Sequence, residues 1–181
     1  MIYGDGVRLR AIEREDIPTF VRWFNDPEIR SYILMYRPMS TANEERWFES
    51  LADRTDDFVF AVEVIGLGNQ IDEQWVHIGN VGLENIDWKN SCCMFGIALG
   101  EKLYWGQGYG TKATRTVLRY AFNELNLHRV ELEVFAYNQR AIRCYEKAGF
   151  RHEGTRRQSR FHDGQYHDAY RMGILREEFE G

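Results

Sequence analysis

The sequence predicts a mixed α/β (α+β) fold, a mostly antiparallel central sheet of about seven strands flanked by about four helices. Three observations lead there. Short β-branched or alternating runs follow one another through the middle of the chain with only turn residues between them, as in hairpins. Two helical apolar stripes come before that run and two after it. Only the later two, after Gly110 and after Asn138, sit where a crossover connection is needed.

The elements read as follows. Val7 to Ile12 alternates like a half-buried strand. Ile17, Phe20, Val21 and Phe24 keep helical spacing, so Asp16 to Asn25 is a helix, and Asp26-Pro27 follows as a turn. Thr41 and Glu44 have capping-box spacing ahead of Trp47, Phe48 and Leu51, which starts a second helix. Phe58 to Ile65 is a buried strand, and Gly66 to Glu73 a hairpin loop. Trp75 to Ile86 and Ser91 to Leu99 are strands joined by the turn Asp87 to Asn90. Ala113, Val117, Leu118, Ala121, Phe122 and Leu125 stripe a third helix, and Val130 to Ala136 alternates as a strand. Ala141, Ile142, Tyr145 and Ala148 share one face of a short helix that ends at Gly149, a fitting C′ residue. Two strands, Arg151 to Phe161 and Tyr166 to Leu175, turn at Asp163-Gly164.

The chain has 181 residues and a formal net charge of −5. That length fits one domain, 1–181, able to bury a core without disulfides or metals. The acidic balance argues against nucleic acid, which needs a clustered basic surface, and suits a cationic partner such as an amine. Cys92, Cys93 and Cys144 have no metal-ligand spacing and read as reduced thiols. His77, His128, His152, His162 and His167 read as surface or hairpin residues. No signal-peptide core opens the sequence and no apolar run reaches the ~18 residues of a membrane span. The expectation is a cytoplasmic protein without membrane partner.

The chemistry concentrates in two motifs. Gly106-Gln107-Gly108-Tyr109-Gly110-Thr111 lies between an apolar strand and a helix. Glycines let backbone approach a ligand, and a helix start offers free N–H groups and the positive end of the dipole to phosphate. Lys112 and Arg115 add charge nearby. A P-loop is excluded, since no G-x-x-x-x-G-K-[ST] exists here. A Rossmann turn would need glycine where Thr111 stands and would follow the first strand of its unit. The second motif runs from Asn138 to Phe150. Asn138 is placed to cap the helix that carries Tyr145.

Together the two stretches resemble the GNAT acetyltransferase superfamily. Gly106 to Thr111 is similar to its pyrophosphate loop. Asn138-x-x-Ala141-x-x-x-Tyr145-Glu146-Lys147-x-Gly149-Phe150 is similar to its second cofactor and catalytic motif. Arg8-Leu9-Arg10 and the Asp163 to Asp168 hairpin resemble the branch of ribosomal-protein N-terminal and spermidine N-acetyltransferases. Two features depart from the pattern: Trp105 stands where Gln or Arg often begins the loop, and the segment Gly100 to Leu103 is about one residue longer than usual.

The resemblance implies acetyl-CoA as co-substrate and no metal. Ile97, Ala98 and Leu99 would hold the pantetheine arm and acetyl carbonyl through backbone groups. Trp105, Gly106, Gln107, Gly108, Tyr109, Gly110 and Thr111 would grip the pyrophosphate. Asn138, Arg140, Ala141, Arg143, Tyr145 and Lys147 would complete the cofactor site. Tyr145 would donate to the departing thiolate. Glu84 is the candidate base, acting through water, with Glu101 second. The acceptor implied is a primary amine: a protein N-terminal α-amine first, then a polyamine or small-molecule amine such as an antibiotic. A homodimer fits the family. The rival reading is a non-catalytic acyl-CoA sensor, which has no need of Tyr145.

Overall fold

The computed structural model of the chain describes residues 1–66 and 74–180. The expected loop at Gly66 to Glu73 therefore lies, from residue 67 onward, outside the described residues. The elements are β1 (Ile2–Tyr3), β2 (Val7–Ala11), α1 (Ile17–Phe24), α2 (Pro27–Arg30), α3 (Thr41–Ser50), β3 (Phe58–Ile65), β4 (Trp75–Asp87), β5 (Cys92–Leu99), α4 (Tyr109–Asn123), β6 (Arg129–Phe135), α5 (Gln139–Ala148), β7 (Arg151–His162) and β8 (Gln165–Leu175). They build one eight-stranded sheet in the order β1-β2-β3-β4-β5-β6-β8-β7. Every pair is antiparallel except β5 and β6.

Strand alternation sends side chains to opposite faces, and each face has its own helices. Val62, Val64, Val81, Leu83, Phe95, Val130, Leu132 and Val134 pack with α4 and α5. Ala61, with Val59 and Ala98 beside it, packs on the other face under Phe20, Trp23 and Phe24 of α1 and Trp47 and Phe48 of α3.

Two elements depart from the sequence reading. β1 pairs only Ile2 with Leu9 and Tyr3 with Arg8, and two residues carry no period to recognise. The turn expected at Asp26-Pro27 becomes the start of α2. The Asp26 carboxylate accepts hydrogen bonds from the Glu28 and Ile29 amides, and Pro27 supplies a helical φ at the first position.

The expected capping box of α3 does not form. Ser40, one residue earlier, is the N-cap and accepts from the Asn43 amide. Glu44 is thereby freed to occupy the apolar stripe with Trp47 and Phe48, where it is 2% exposed. Among the described residues one of its carboxylate oxygens has no hydrogen-bond partner. Burial pushes its carboxyl up to about 7.

His77 is also not a surface residue. It packs against Phe20 and Trp23, and its Nδ1 lies 3.1 Å from Asp16. Asp16 belongs to a buried ionic group. Arg10 grips it with two bonds of 2.6 and 2.8 Å and gives its Nε to Glu63 at 2.9 Å, and Arg8 adds a bond to Glu63. Burial alone would raise the Asp16 pKa, but the bonds from Arg10 and His77 outweigh it and hold it well below the usual range. This group fastens the turn before α1 to β2 and β3.

The raised Glu44 pKa has a stability consequence with a definite sign. As pH rises from the ordinary glutamate value, the unfolded chain ionises first and gains on the folded one until about pH 7, above which the penalty is constant. Glu44→Gln should therefore be more stable than wild type at pH 8 by about 1–3 kcal/mol and lose that advantage near pH 4. Urea unfolding at the two pH values measures this, and an equal difference at both would refute it.

Candidate active site

The cleft begins where β5 and β6 part. Their parallel pairing covers only Cys92, Cys93 and Met94 against Arg129, Val130 and Glu131. Beyond that, β5 stays on β4 as far as Leu99, and β6 stays on β8 as far as Phe135. A cleft of about 700 Å³ fills the gap, lined by both strands, the start of α4 and one side of α5.

At one end of the cleft lies the glycine turn. Gly106 and Gly108 have φ of +75° and +85°, and a Cβ at either would meet no atom within 4 Å. Gly108 is the N-cap of the 15-residue α4. Two left-handed residues thus aim the first amides of a long helix into open space, an arrangement able to bind phosphate through backbone N–H groups. Gly110 has a different task. A Cβ there would lie 3.3 Å from Cys144 Sγ and 3.5 Å from Leu99 Cδ1, so its absence brings α4 close to α5 and β5. Thr111 turns its hydroxyl to Cys144 Sγ at 3.5 Å.

Trp105 closes the turn from the other side. Its indole N–H donates to the Leu99 carbonyl at 2.8 Å, satisfying a backbone group that the parting of the strands leaves without a partner. The Arg140 guanidinium lies 3.8 Å from the centre of the Trp105 ring and 5.2 Å from that of Tyr32. Asn138 caps α5, its Oδ1 accepting from the Ala141 amide at 3.1 Å. Tyr145, 8% exposed, packs edge-on to Phe95 and Phe150 and lines the cleft. Burial pushes its phenol well above the ordinary tyrosine value, with Cys144 adding to the effect.

Glu84 lies on the opposite face. Asn80, Gly82 and Glu84 alternate along β4 and line the cleft opposite Ala98, Gly96 and Met94 of β5. The paired glycines leave a bare strip of backbone, and Glu84 Oε1 lies over it, 3.3 and 3.9 Å from the Cβ positions that Gly82 and Gly96 lack. Glu84 is exposed and lines the cleft. Desolvation, then the charge of Asp57, raises its pKa against the opposing pull of Arg54. Glu133 also lines the cleft but is engaged, bonded by Arg156 at 2.6 Å and by Arg160. Burial pushes its pKa up, but those two bonds prevail and hold it below the usual range. Of these two cleft glutamates, Glu84 is the one suited to exchange a proton.

The cleft thus brings together Glu84, Ile97, Ala98, Leu99, Trp105, Gly106, Gly108, Tyr109, Gly110, Thr111, Asn138, Arg140, Ala141, Arg143, Tyr145 and Lys147. Gln107 is the exception, its amide folded back onto the Leu103 carbonyl. Glu101 stands outside the lining and meets Arg22. Lys112 and Arg115 are held by Asp5 and by the Glu180 carbonyl. Asn80 and Glu133 escaped the sequence reading. The period-2 spacing of Asn80 with Glu84 was the available signal for the first.

A long helix start over open space, a parted sheet and a buried tyrosine facing the gap fit the acyl-CoA-dependent acyltransferase that the two motifs resemble. Comparison with known proteins places the chain more narrowly. A family model described as the acetyltransferase (GNAT) domain matches residues 7–151, and the chain belongs to that family. It is similar to the SPbeta prophage-derived N-acetyltransferase YokL of Bacillus subtilis, 33% identical over 98% of this chain and 94% of the relative. It is 30% identical to the spermidine N(1)-acetyltransferase of Vibrio cholerae over 94% of each chain. The crystal structure of spermidine N-acetyltransferase from that organism with CoA and spermine superposes with a TM-score of 0.84 at 29% identity, covering 97% of this chain and 99% of that one. The chain is an acetyl-CoA-dependent N-acetyltransferase. Among the described residues no helix is long and apolar enough to cross a membrane.

The turn yields a test. Gly108→Ala forces a side chain into the left-handed region, at a cost of about 1–2 kcal/mol, and puts a methyl into the open space. Calorimetric titration should show acetyl-CoA binding weakened at least about tenfold. Unchanged affinity with lowered thermal stability alone would assign the turn to folding.

Proposed function

We propose that this enzyme acetylates a strongly basic primary amine of the polyamine class, by direct attack on the thioester. The observation that carries this reading is Glu84, a carboxylate without an arginine partner seated over the Gly82–Gly96 strip of the cleft, its pKa raised. A protein α-amine, pKa ~8, is about a tenth neutral at pH 7 and needs little help. A polyamine amine, pKa ~10.4, costs nearly 5 kcal/mol to deprotonate at pH 7 and needs a proton acceptor. A carboxylate of raised pKa narrows that gap. Similarity to spermidine N-acetyltransferases over nearly the whole chain supports the same class.

Glu84 takes the ammonium proton through water, and the bare strip admits the nitrogen. Backbone groups of Ile97 and Ala98, and the Leu99 amide, hold the pantetheine arm and acetyl carbonyl. Asn138 and Ala141 contact the same arm. The amides from Trp105 to Thr111 hold the pyrophosphate, while Arg143 and Lys147 face the outer phosphates. Tyr145 hydrogen-bonds the departing thiolate. Ordinary values, ~8.5 for a thiol and ~10 for tyrosine, already make full proton transfer uphill by about 2 kcal/mol. Burial of Tyr145 widens that difference, so its contribution is donation of a hydrogen bond. The chain also self-associates on this reading, as a dodecameric structure of the Vibrio cholerae relative illustrates for that protein. A monomer in sedimentation velocity at micromolar concentration would refute that part.

Thiol release with acetyl-CoA and a panel of amines tests the acceptor. Spermidine should give the highest kcat/KM, above Ser- and Ala-starting peptides and aminoglycosides. A peptide tenfold better than spermidine would overturn the assignment. Tyr145→Phe should lower kcat about 10²-fold while acetyl-CoA still binds, and unchanged turnover removes its role. Glu84 must be ionised to act, so wild-type kcat/KM should fall as pH drops through its raised pKa. Glu84→Gln should be slower throughout and lack that acid limb. Retention of the limb in the variant would assign the proton to another group.

A further inference from the structure

The walls of the cleft differ in chemistry. Its cations, Arg140, Arg143 and Lys147, stand on α5. Its carboxylates are Glu84 and Glu133, and Glu133 is already bonded by Arg156 and Arg160. The stretch from the end of α1 to the segment after α2 adds a wall of another kind, with Phe24, Ile29, Ile33, Leu34 and Met35. Among the described residues lining the cleft, this stretch contributes no charged side chain. Phe24 and Ile29 are buried, and Ile33, Met35 and Ala98 of β5 pack against the cluster they belong to. The wall is thus continuous with the α1-side core and meets the sheet at Ala98.

Leu34 differs from its neighbours. It lines the cleft, yet it is 64% exposed and belongs to neither core cluster. The backbone on both sides of it is pinned. The Tyr137 hydroxyl donates to the Ser31 carbonyl at 2.6 Å. Arg30 donates to the carbonyls of Met35 at 3.5 Å and Tyr36 at 2.6 Å. The Asn25 side chain exchanges bonds of 2.8 and 2.9 Å with the Met39 backbone. A leucine held in water beside an apolar wall leaves surface for a ligand to cover.

The composition of the cleft selects the ligand. Glu84 is the cleft carboxylate left for one ammonium, and what extends from that ammonium along the wall must be apolar. We propose that Phe24, Ile29, Ile33, Leu34 and Met35 form a methylene subsite, which takes the aliphatic chain that carries the reacting amine. The proposal rests on the basic-amine reading and sharpens it. The acceptor is a primary amine on an unbranched carbon chain, and a further ammonium lies beyond the wall in water. Leu34 touches neither reacting atom, so it sets chain-length preference rather than chemistry.

The experiment measures thiol release with n-propyl-, n-butyl-, n-pentyl- and n-hexylamine. These amines share one basicity, so the cost of deprotonation cancels from their ratios. Each added methylene should raise kcat/KM about fourfold, the worth of one CH2 taken out of water. Leu34→Ser spares the core clusters, and it should cut the hexylamine-to-propylamine ratio about tenfold while propylamine turnover stays within about twofold of wild type. Leu34→Met keeps the apolar surface and should keep the ratio. A rise below about twofold per methylene in wild type, or a Leu34→Ser ratio within about twofold of wild type, overturns the proposal. If no amine releases thiol, the acceptor reading fails by itself. Calorimetric titration of n-hexylamine and n-propylamine into CoA-bound protein then decides the subsite. Hexylamine binding at least about tenfold tighter, with the difference lost in Leu34→Ser, supports it, and equal binding of the two amines refutes it.

Discussion

The three-residue contact between β5 and β6 governs the rest of the molecule. Each strand keeps a full antiparallel ladder on its other side, β5 with β4 and β6 with β8. Those ladders diverge, and the weaker parallel pair cannot follow both beyond Met94 and Glu131. The divergence leaves the β6-facing backbone edge of β5 beyond Met94 without a strand partner, which is costly unless something else meets it. The Trp105 indole meets one group of that edge at Leu99. The others face the cleft, where a ligand with amide groups of its own can pair with them. A sheet that opens in this way lets reactants enter from its two faces. Tyr145 stands on the helix face of α5, and Glu84 on the face shared with α1 and α3.

Carboxylates in this protein divide by their partners. Asp16 and Glu63 are buried and Glu133 half-buried, all three are bonded to arginines, and their pKa values fall. Such groups stay charged through the working pH range and fix geometry. A buried ion pair adds little net stability over an apolar replacement, yet losing one partner strands the other, so these arginines are not interchangeable with neutral residues. Glu84 and Glu44 lack such partners, and desolvation raises both. Glu84 lines the cleft, where a raised pKa suits proton exchange. Glu44 lies on the buried side of α3, where it costs stability at neutral pH.

The stack of Arg140 on Trp105 and Tyr32 joins three segments distant in sequence: the α5 start, the glycine turn and the chain after α2. Planar guanidinium on aromatic faces holds them without consuming a carboxylate. Tyr32 thereby joins the glycine turn to the wall of the cleft.

Local chemistry was legible in the chain. The glycines before α4, the Asn138 cap, the alternation of β3 to β6 and the Asp163-Gly164 turn depend on neighbours within a few residues. Steric freedom, capping and period act at that range. The sequence by itself therefore determined most of the elements, the glycine turn and the helix motif around Tyr145, but not β1 or α2. It did not disclose that Gly110 serves helix packing rather than backbone freedom, because that depends on Cys144 and Leu99 closing over it. It named Glu84 with Glu101 as second candidate, and did not disclose that Glu101 stands outside the cleft on Arg22 while Glu133 lines it under two arginines. It placed His77 at the surface, unaware of Asp16 and Trp23. Tertiary structure decided these because desolvation and pairing are properties of what lies opposite a side chain, and the fold alone sets what lies opposite.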